Sequence, residues 1–198
     1  MICGIVLAAG RSRRMGEPKA LLRAGDETFL RRAVNALREG GCAYVVVVTA
    51  RLDDETAREI AEEAAALDAG IAVNPAAESE QADSLRIGLM SLPPQAEAAV
   101  VAPVDVPDVS GALVRAVIDA HRRTGAPVAL PARQGRHGHP VLFDRRVFAE
   151  LMRPGLPQGA RTVIHAHAAD LAEVPVDALP PDLDTPEEYR RWRHNTRD

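Results

Sequence analysis

The sequence predicts a three-layer α/β/α fold around a doubly wound, mostly parallel sheet that includes an antiparallel strand. Three features carry that expectation. Short apolar runs rich in β-branched or small residues recur at 2–8, 44–49 and 98–104, and a run that is apolar on both faces is what a parallel strand covered by helices requires. Segments of helical periodicity separate these runs, so the strands are joined by crossovers, which are right-handed in such sheets. The runs at 127–131 and 140–143 are split by a polar turn instead of a helix, which requires an antiparallel neighbour. With 198 residues and 46% hydrophobic content, the chain is expected to form a single domain over 1–198 around one core.

Residues 2–8 make the first strand, and 7–19, LAAGRSRRMGEPK, supply the end of that strand and the loop after it. A helix starts near Thr28, with Thr28 or Asp26 as cap; Phe29, Leu30, Ala33, Val34 and Leu37 share one face, and Gly40 and Gly41 stop it. After the strand 44–49, YVVVVT, Asp53 caps a helix that runs through Leu67 and ends near Gly70, and 71–73 is a short third strand. A polar loop at 74–83 leads into a helix at 84–92, ended by Pro93 and Pro94. Strand 98–104 delivers Asp105 at its end. There follow a helix at 110–124, a strand at 127–131, a polar turn at 133–138, a strand at 140–143, helices at 144–152 and 160–168, and a strand at 172–176. A last helix begins at Pro186 with Thr185 as cap, and the terminal RRWRHNTRD is expected to fray.

Sheets of this kind bind ligands at the carboxyl ends of their strands, so the loop at 7–19 and Asp105 belong to one rim. The loop holds Gly10, Gly16, Arg11, Arg13, Arg14 and Lys19, and Lys19 is the single lysine among 24 Lys and Arg. A compact ammonium sits between phosphate oxygens where a planar guanidinium does not, and glycines let backbone amides approach an anion. The spacing Gly10, Gly16, Lys19 matches neither GxxxxGK[ST] nor GxGxxG. Asp105, followed by Val106 and Pro107, suits a divalent-metal ligand facing those phosphates, or a cap for the next helix. Residues 182–186, DLDTP, offer another hard oxygen donor at a helix start.

His139, between Gly138 and Pro140 in a turn beside an edge strand, is either a substrate contact or a structural histidine. His121, His165 and His167 stand on helices without metal-ligand spacing, and Cys3 and Cys42 indicate neither a disulfide nor a zinc site. A net charge of −4 leaves no basic field for nucleic acid. The charges follow the first apolar run instead of preceding it, and no window is apolar over a membrane's thickness, so neither a secretory leader nor a membrane partner is expected and a cytoplasmic location is.

Taken together, these stretches resemble the MobA-like NTP transferases, and more closely the branch that attaches cytidylate to the molybdenum cofactor. LAAGRSRRMGEPKALL at 7–22 is similar to that family's nucleotide signature LAAGxSxRMGxxK, and NPAAESEQADSLRIGL at 74–89 to its base-side segment. PVDVP at 103–107 is similar to its Asp-x-Pro metal motif, GHPVLF at 138–143 to a substrate-side loop, and DLDTPEEY at 182–189 to its closing acidic motif. The resemblance implies a nucleotide-diphospho-sugar transferase-like variant of the Rossmann fold. It also implies a Mg²⁺-dependent transfer of a nucleoside monophosphate from an NTP to a phosphorylated acceptor such as a molybdopterin-type cofactor, with release of pyrophosphate.

The same resemblance implies nucleotide contacts from Leu7, Ala8, Ala9, Gly10, Arg14, Gly16, Lys19, Asn74 and Ser84, and acceptor contacts from Gly138, His139 and Arg161. It gives Arg14, Lys19 and Asp105 the catalytic work, and Asp105 and Asp184 the Mg²⁺, with Asp182 as the other possible second ligand. Ala9 looks like the cytidine-using branch, which points to CTP over GTP. Two departures fall on the acceptor or base side: Asp83 and Ser84 stand where the family has paired serines, and Gly155 to Gln158 precede Gly159, Ala160 and Arg161 where it has Gly-Asp. Transient docking to a molybdenum enzyme would follow from this role. The competing expectations are a non-catalytic accessory protein that binds nucleotide or cofactor, and a fold recruited to oxidoreductase work, as in relatives labelled nicotine-derived-pigment reductases; the missing GxGxxG weighs against the latter.

Overall fold

The computed structural model describes residues 1–10, 15–51, 55–76 and 81–195. Strand β1 (Ile2–Leu7) is wholly buried and lies inside an eight-stranded sheet. A ribbon of β2 (Arg23–Ala24) and β3 (Glu27–Thr28) stands apart from it. On one side β1 pairs in parallel with β4 (Tyr44–Thr49), and β4 with β5 (Gly70–Val73). On the other it pairs in parallel with β6 (Ala98–Pro103). Further along the chain come β7 (Val128–Arg133), β8 (Arg136–His137), β9 (Val141–Asp144) and β10 (Leu171–Pro175). The order is β10-β7-β9-β6-β1-β4-β5, with β9 antiparallel to both β6 and β7, β10 parallel to β7, and β8 in a hairpin with β7.

Alternation along each strand sorts side chains into two cores. Ile5, Leu7, Val46, Val48, Ala99 and Val101 face α3 (Gln81–Met90), α5 (Phe148–Leu151) and α6 (Ala160–Ala166). Val6, Val45, Val47, Val100 and Ala102 face α1 (Phe29–Glu39), α2 (Glu55–Ala66) and α4 (Gly111–Thr124). Each fully buried Val, Leu or Ile contributes about 1.5–3 kcal/mol, and this two-faced burial produces the three layers. Helix α3 sits so close to the sheet that a Cβ at Gly88 would meet Ile5 Cγ2 at 2.7 Å.

The helix ends follow their sequence signals. Thr28 Oγ1 accepts the Arg31 N–H at 3.0 Å at the start of α1, and Ser110 Oγ does the same for Leu113 N–H at the start of α4. Gly125 closes α4 in the left-handed conformation, φ +68°.

Several expectations change. The Asp53 cap lies outside the described residues. The stretch 133–138 is a hairpin, because Gln134 and Gly135 both take positive φ, +49° and +73°, in a two-residue turn that suits the twist of paired strands. The helix expected at 144–152 becomes a 3-10 turn, Arg145–Val147, capped by the Asp144 carboxylate accepting Arg146 N–H, followed by the four-residue α5. The segment 160–168 leaves its α-helix at Ala166 and ends in a 3-10 turn, Ala168–Asp170. As far as Asn195 the expected frayed end is a helix, α7 (Pro186–Asn195), since Trp192 is buried against Phe29; the last three residues of the expected frayed segment lie outside the described residues. Among the described residues no helix is long and apolar enough to cross a membrane.

Candidate active site

The carboxyl ends of β1, β4 and β6 open together. Ala8 N–H donates to the Val48 carbonyl at 2.9 Å and Val104 N–H to the Leu7 carbonyl at 3.2 Å, so residues 8–10 and 104–107 leave the sheet side by side. Asn74, just past β5, joins them through its N–H to the Thr49 carbonyl at 2.8 Å. Lys19 opens a 3-10 turn, Lys19–Leu21, after Pro18, and returns to this rim. Its Nζ lies 3.0 Å from Asp105 Oδ2 and 2.7 Å from Asp184 Oδ1. Asp105, Asp182 and Asp184 each present a carboxylate oxygen within 4.8 Å of the others. Three hard oxygen donors at that separation fit a small divalent cation such as Mg²⁺ or Mn²⁺.

The chain after β10 brings in two of these carboxylates. Leu183 N–H donates to the Asp105 carbonyl at 2.9 Å, and the Leu183 side chain is buried with Met15, Leu22, Phe29 and Trp192. Asp182 and Asp184 flank it on the rim side, Asp182 exposed and Asp184 half-buried. A capping box then starts α7: Thr185 N–H donates to Glu188 Oε2 at 2.9 Å while Glu188 N–H donates to Thr185 Oγ1 at 3.2 Å, and Asp184 N–H shares Glu188 Oε2 at 2.9 Å. Phe29 meets Trp192 and Tyr189 edge-on, at centroid distances of 5.4 and 5.8 Å, and Trp192 Nε1–H donates to Asp108 Oδ2 at 2.8 Å.

Charge crowding shows in the titration of the group. The Asp182 carboxyl is pushed up to about 6, by lost hydration on its protein side and then by the Asp105 and Asp184 carboxylates, with Lys19 opposing. Burial pulls the Lys19 ammonium down, but hydrogen bonding and charge from Asp184 and Asp105 more than offset it, and its pKa lies above the ordinary value.

The structure brings most of the expected residues to this rim. Leu7 and Ala8 are buried strand-end residues, Ala9 is half-buried, and Gly10 and Gly16 are exposed with open space where a Cβ would point. Gly16 has φ +75°, a conformation suited to glycine. Arg14 lies outside the described residues, as do Arg11 and Arg13. Asn74 and Ser84 are buried and joined, Nδ2 donating to Oγ at 3.0 Å, while Asn74 Oδ1 accepts Ala76 N–H at 3.0 Å; the pair thus ties the end of β5 to α3. Asp83 is engaged by Arg86 of the same helix.

On the other side, Gly138 is held by its N–H to the Pro131 carbonyl at 3.0 Å and abuts Leu179. His139 precedes β9, which is an interior strand between β6 and β7, so the expected edge-strand setting is corrected. The histidine is half-buried, its Nδ1 is wholly enclosed, and that atom has no hydrogen-bond partner among the described residues. Burial lowers its pKa and the exposed Arg161 at the start of α6 lowers it further, while Asp105 pulls it up. His139 is therefore within electrostatic reach of both the carboxylate group and Arg161. His167 and His121 do have carboxylate partners, Glu150 at 3.0 Å and Asp144 at 3.7 Å, on the opposite rim of the sheet.

A family model for the MobA-like NTP transferase domain matches residues 4–171. The chain belongs to the MobA-like NTP transferase family. The arm carrying Asp182 and Asp184 lies beyond the matched residues. A crystal structure of Rv0371c from Mycobacterium tuberculosis is similar at 31% identity and TM-score 0.84, covering 98% of this chain and 97% of that one. Another structure of Rv0371c, in complex with manganese, matches at 30% identity and TM-score 0.79 over 98% of each chain. A probable molybdenum cofactor guanylyltransferase of Opitutus terrae is 53% identical over 47 residues, 24% of this chain. The 2-C-methyl-D-erythritol 4-phosphate cytidylyltransferase of Streptomyces coelicolor is 37% identical over 132 residues, 65% of this chain. The matches span 23% and 48% of those two proteins' own lengths.

Proposed function

We propose that the chain is a cytoplasmic, Mg²⁺-dependent nucleotidyltransferase, acting as a single domain, that passes CMP in preference to GMP from the triphosphate to a phosphate-bearing acceptor such as a molybdopterin-type cofactor. The observation that carries this reading is the convergence of Asp105, Asp182, Asp184 and Lys19 on the rim reached by the loop after β1. In the reaction, an oxygen of the acceptor phosphate attacks the α-phosphorus of the NTP and forms a new P–O bond. The bond from the α-phosphorus to the bridging oxygen breaks, and pyrophosphate leaves with the electron pair. Because the nucleophile is already an anion, no protein base is needed, and orientation with charge stabilisation supplies the acceleration.

Asp105, Asp182 and Asp184 would hold the metal, and bound Mg²⁺ supplies neutralisation of phosphate charge and polarisation of the α-phosphorus. Lys19 and Arg14 would take triphosphate oxygens, with the open backbone at Gly10 and Gly16 accessible to the same anion. Leu7 to Ala9 and the Asn74–Ser84 pair would border the nucleoside, and Gly138, His139 and Arg161 the acceptor phosphate. The manganese complex of Rv0371c supports a divalent metal. Ala9 and the longer match to a cytidylyltransferase favour CTP.

The test is pyrophosphate release from CTP or GTP with MgCl₂, offering molybdopterin cofactor and, separately, 2-C-methyl-D-erythritol 4-phosphate. Acceptor-dependent release that is faster with CTP and lost with EDTA or in Asp105→Asn is expected. Absence of release, together with absence of thermal stabilisation by any NTP and Mg²⁺, overturns the reading.

A further inference from the structure

We propose that Lys19 is the resident counter-ion of the carboxylate group, and that a divalent cation displaces its ammonium onto the triphosphate. The inference rests on the metal-binding part of the function proposed above. The ammonium lies between Asp105 and Asp184, at 3.0 and 2.7 Å, and the Lys19 side chain is only 12% exposed. Three carboxylates with oxygens inside 4.8 Å repel one another unless a cation joins them. Lys19 supplies that cation.

A metal bonding the same oxygens at roughly 2.0–2.6 Å takes the position that the ammonium neutralises, and two cations at such separation repel. Lysine is suited to move aside, since its charge is a compact point on a flexible four-carbon stem. The loop that holds Lys19 begins beside the rim at Ala8 and also holds Gly10 and Gly16, both exposed with open space where a Cβ would point, so a triphosphate bound along this loop would offer the released ammonium new oxygens. Lys19 accordingly works against metal binding when nucleotide is absent and for triphosphate binding once metal is present.

One substitution should therefore shift two affinities in opposite directions, which a merely structural lysine would not do. Mn²⁺ is titrated without nucleotide, free ion being read by electron paramagnetic resonance, for the wild type, Lys19→Met, Lys19→Gln and Asp105→Asn. Calorimetry then measures CTP binding at saturating Mn²⁺. Both Lys19 variants should bind Mn²⁺ about tenfold tighter and CTP about tenfold more weakly, the order expected for removing one charge beside two ligands. Unchanged or weaker Mn²⁺ binding in both variants, with wild-type binding abolished by Asp105→Asn, overturns the inference and leaves the metal site standing. Tighter Mn²⁺ with unaltered CTP affinity overturns the transfer to the triphosphate. A wild-type chain that binds no Mn²⁺ overturns the inference and the metal reading together.

Discussion

Leu183 and Asp105 are joined main chain to main chain, the Leu183 N–H donating to the Asp105 carbonyl at 2.9 Å. That bond fixes the C-terminal arm to the turn just after β6, so the carboxylates on either side of Leu183 meet the one at Asp105. The buried Leu183 side chain pulls the arm down on Phe29 and Trp192, and the hydrogen bond sets its register. Packing and site geometry are thus one feature.

Leu183→Ala should consequently weaken both. Removing a buried leucine costs about 2–5 kcal/mol, read as a lower urea midpoint with an unaltered slope. Mn²⁺ affinity measured far below that midpoint should also fall several-fold, because Asp182 and Asp184 lose their anchor. Weaker folding with undiminished Mn²⁺ affinity would show that the main-chain bond alone positions the carboxylates.

Trp192→Phe keeps ring packing on Phe29 but leaves Asp108 without the indole N–H it accepts at 2.8 Å. A lost bond to a charged acceptor in a half-buried place costs about 1–3 kcal/mol. Trp192→Ala, which empties the pocket as well, should cost about 3–5 kcal/mol. Urea unfolding of the two variants checks the order; a Trp192→Phe chain as stable as the wild type would mean that the bond to Asp108 contributes nothing, and equal losses that the ring packing contributes nothing beyond it.

The sheet was legible because β1, β4 and β6 are apolar on both faces, a pattern few other structures permit. Hairpin β7–β8 was not, since Gln134-Gly135 is a weaker turn signal than Asn-Gly and a two-residue strand has no periodicity to read. On the arm, arginines at 190, 191 and 193 masked Tyr189 and Trp192, which lie three apart on one helical face and clamp Phe29. The alternation Asp182, Leu183, Asp184 places two carboxylates on either side of an apolar residue, and the sequence alone does not decide between them; the fold brings an oxygen of each within 4.8 Å of Asp105. Lys19 reads as a phosphate ligand from its loop alone, whereas its pairing with residues 86 and 165 positions away is a property of the fold that no local spacing encodes.

Burial pushes the Cys42 thiol up to about 12, the neighbouring Cys3 adding to it, and burial also raises Cys3. Only thiolate reacts, so at pH 8 the native chain should show no fast-reacting thiol toward a disulfide reagent, and both cysteines should react once guanidinium unfolds it. A fast native phase would contradict the enclosed position of both side chains.

His139 gives the chain an acid-side stability limit with a definite sign. Its folded pKa lies below the ordinary 6.5, first because burial disfavours the imidazolium and then because Arg161 adds like charge, against the pull of Asp105. The unfolded chain therefore takes up the proton first as pH falls. The stability associated with neutral His139 is complete above pH 6.5 and is lost as pH drops from there toward the folded pKa. Urea midpoints between pH 8 and 5 should fall for the wild type more steeply than for His139→Gln, which cannot take up that proton. Arg161→Gln removes the repelling charge and should make the wild-type slope shallower without abolishing it, because burial is the larger cause. Parallel midpoint curves for the wild type and His139→Gln would place the acid sensitivity elsewhere.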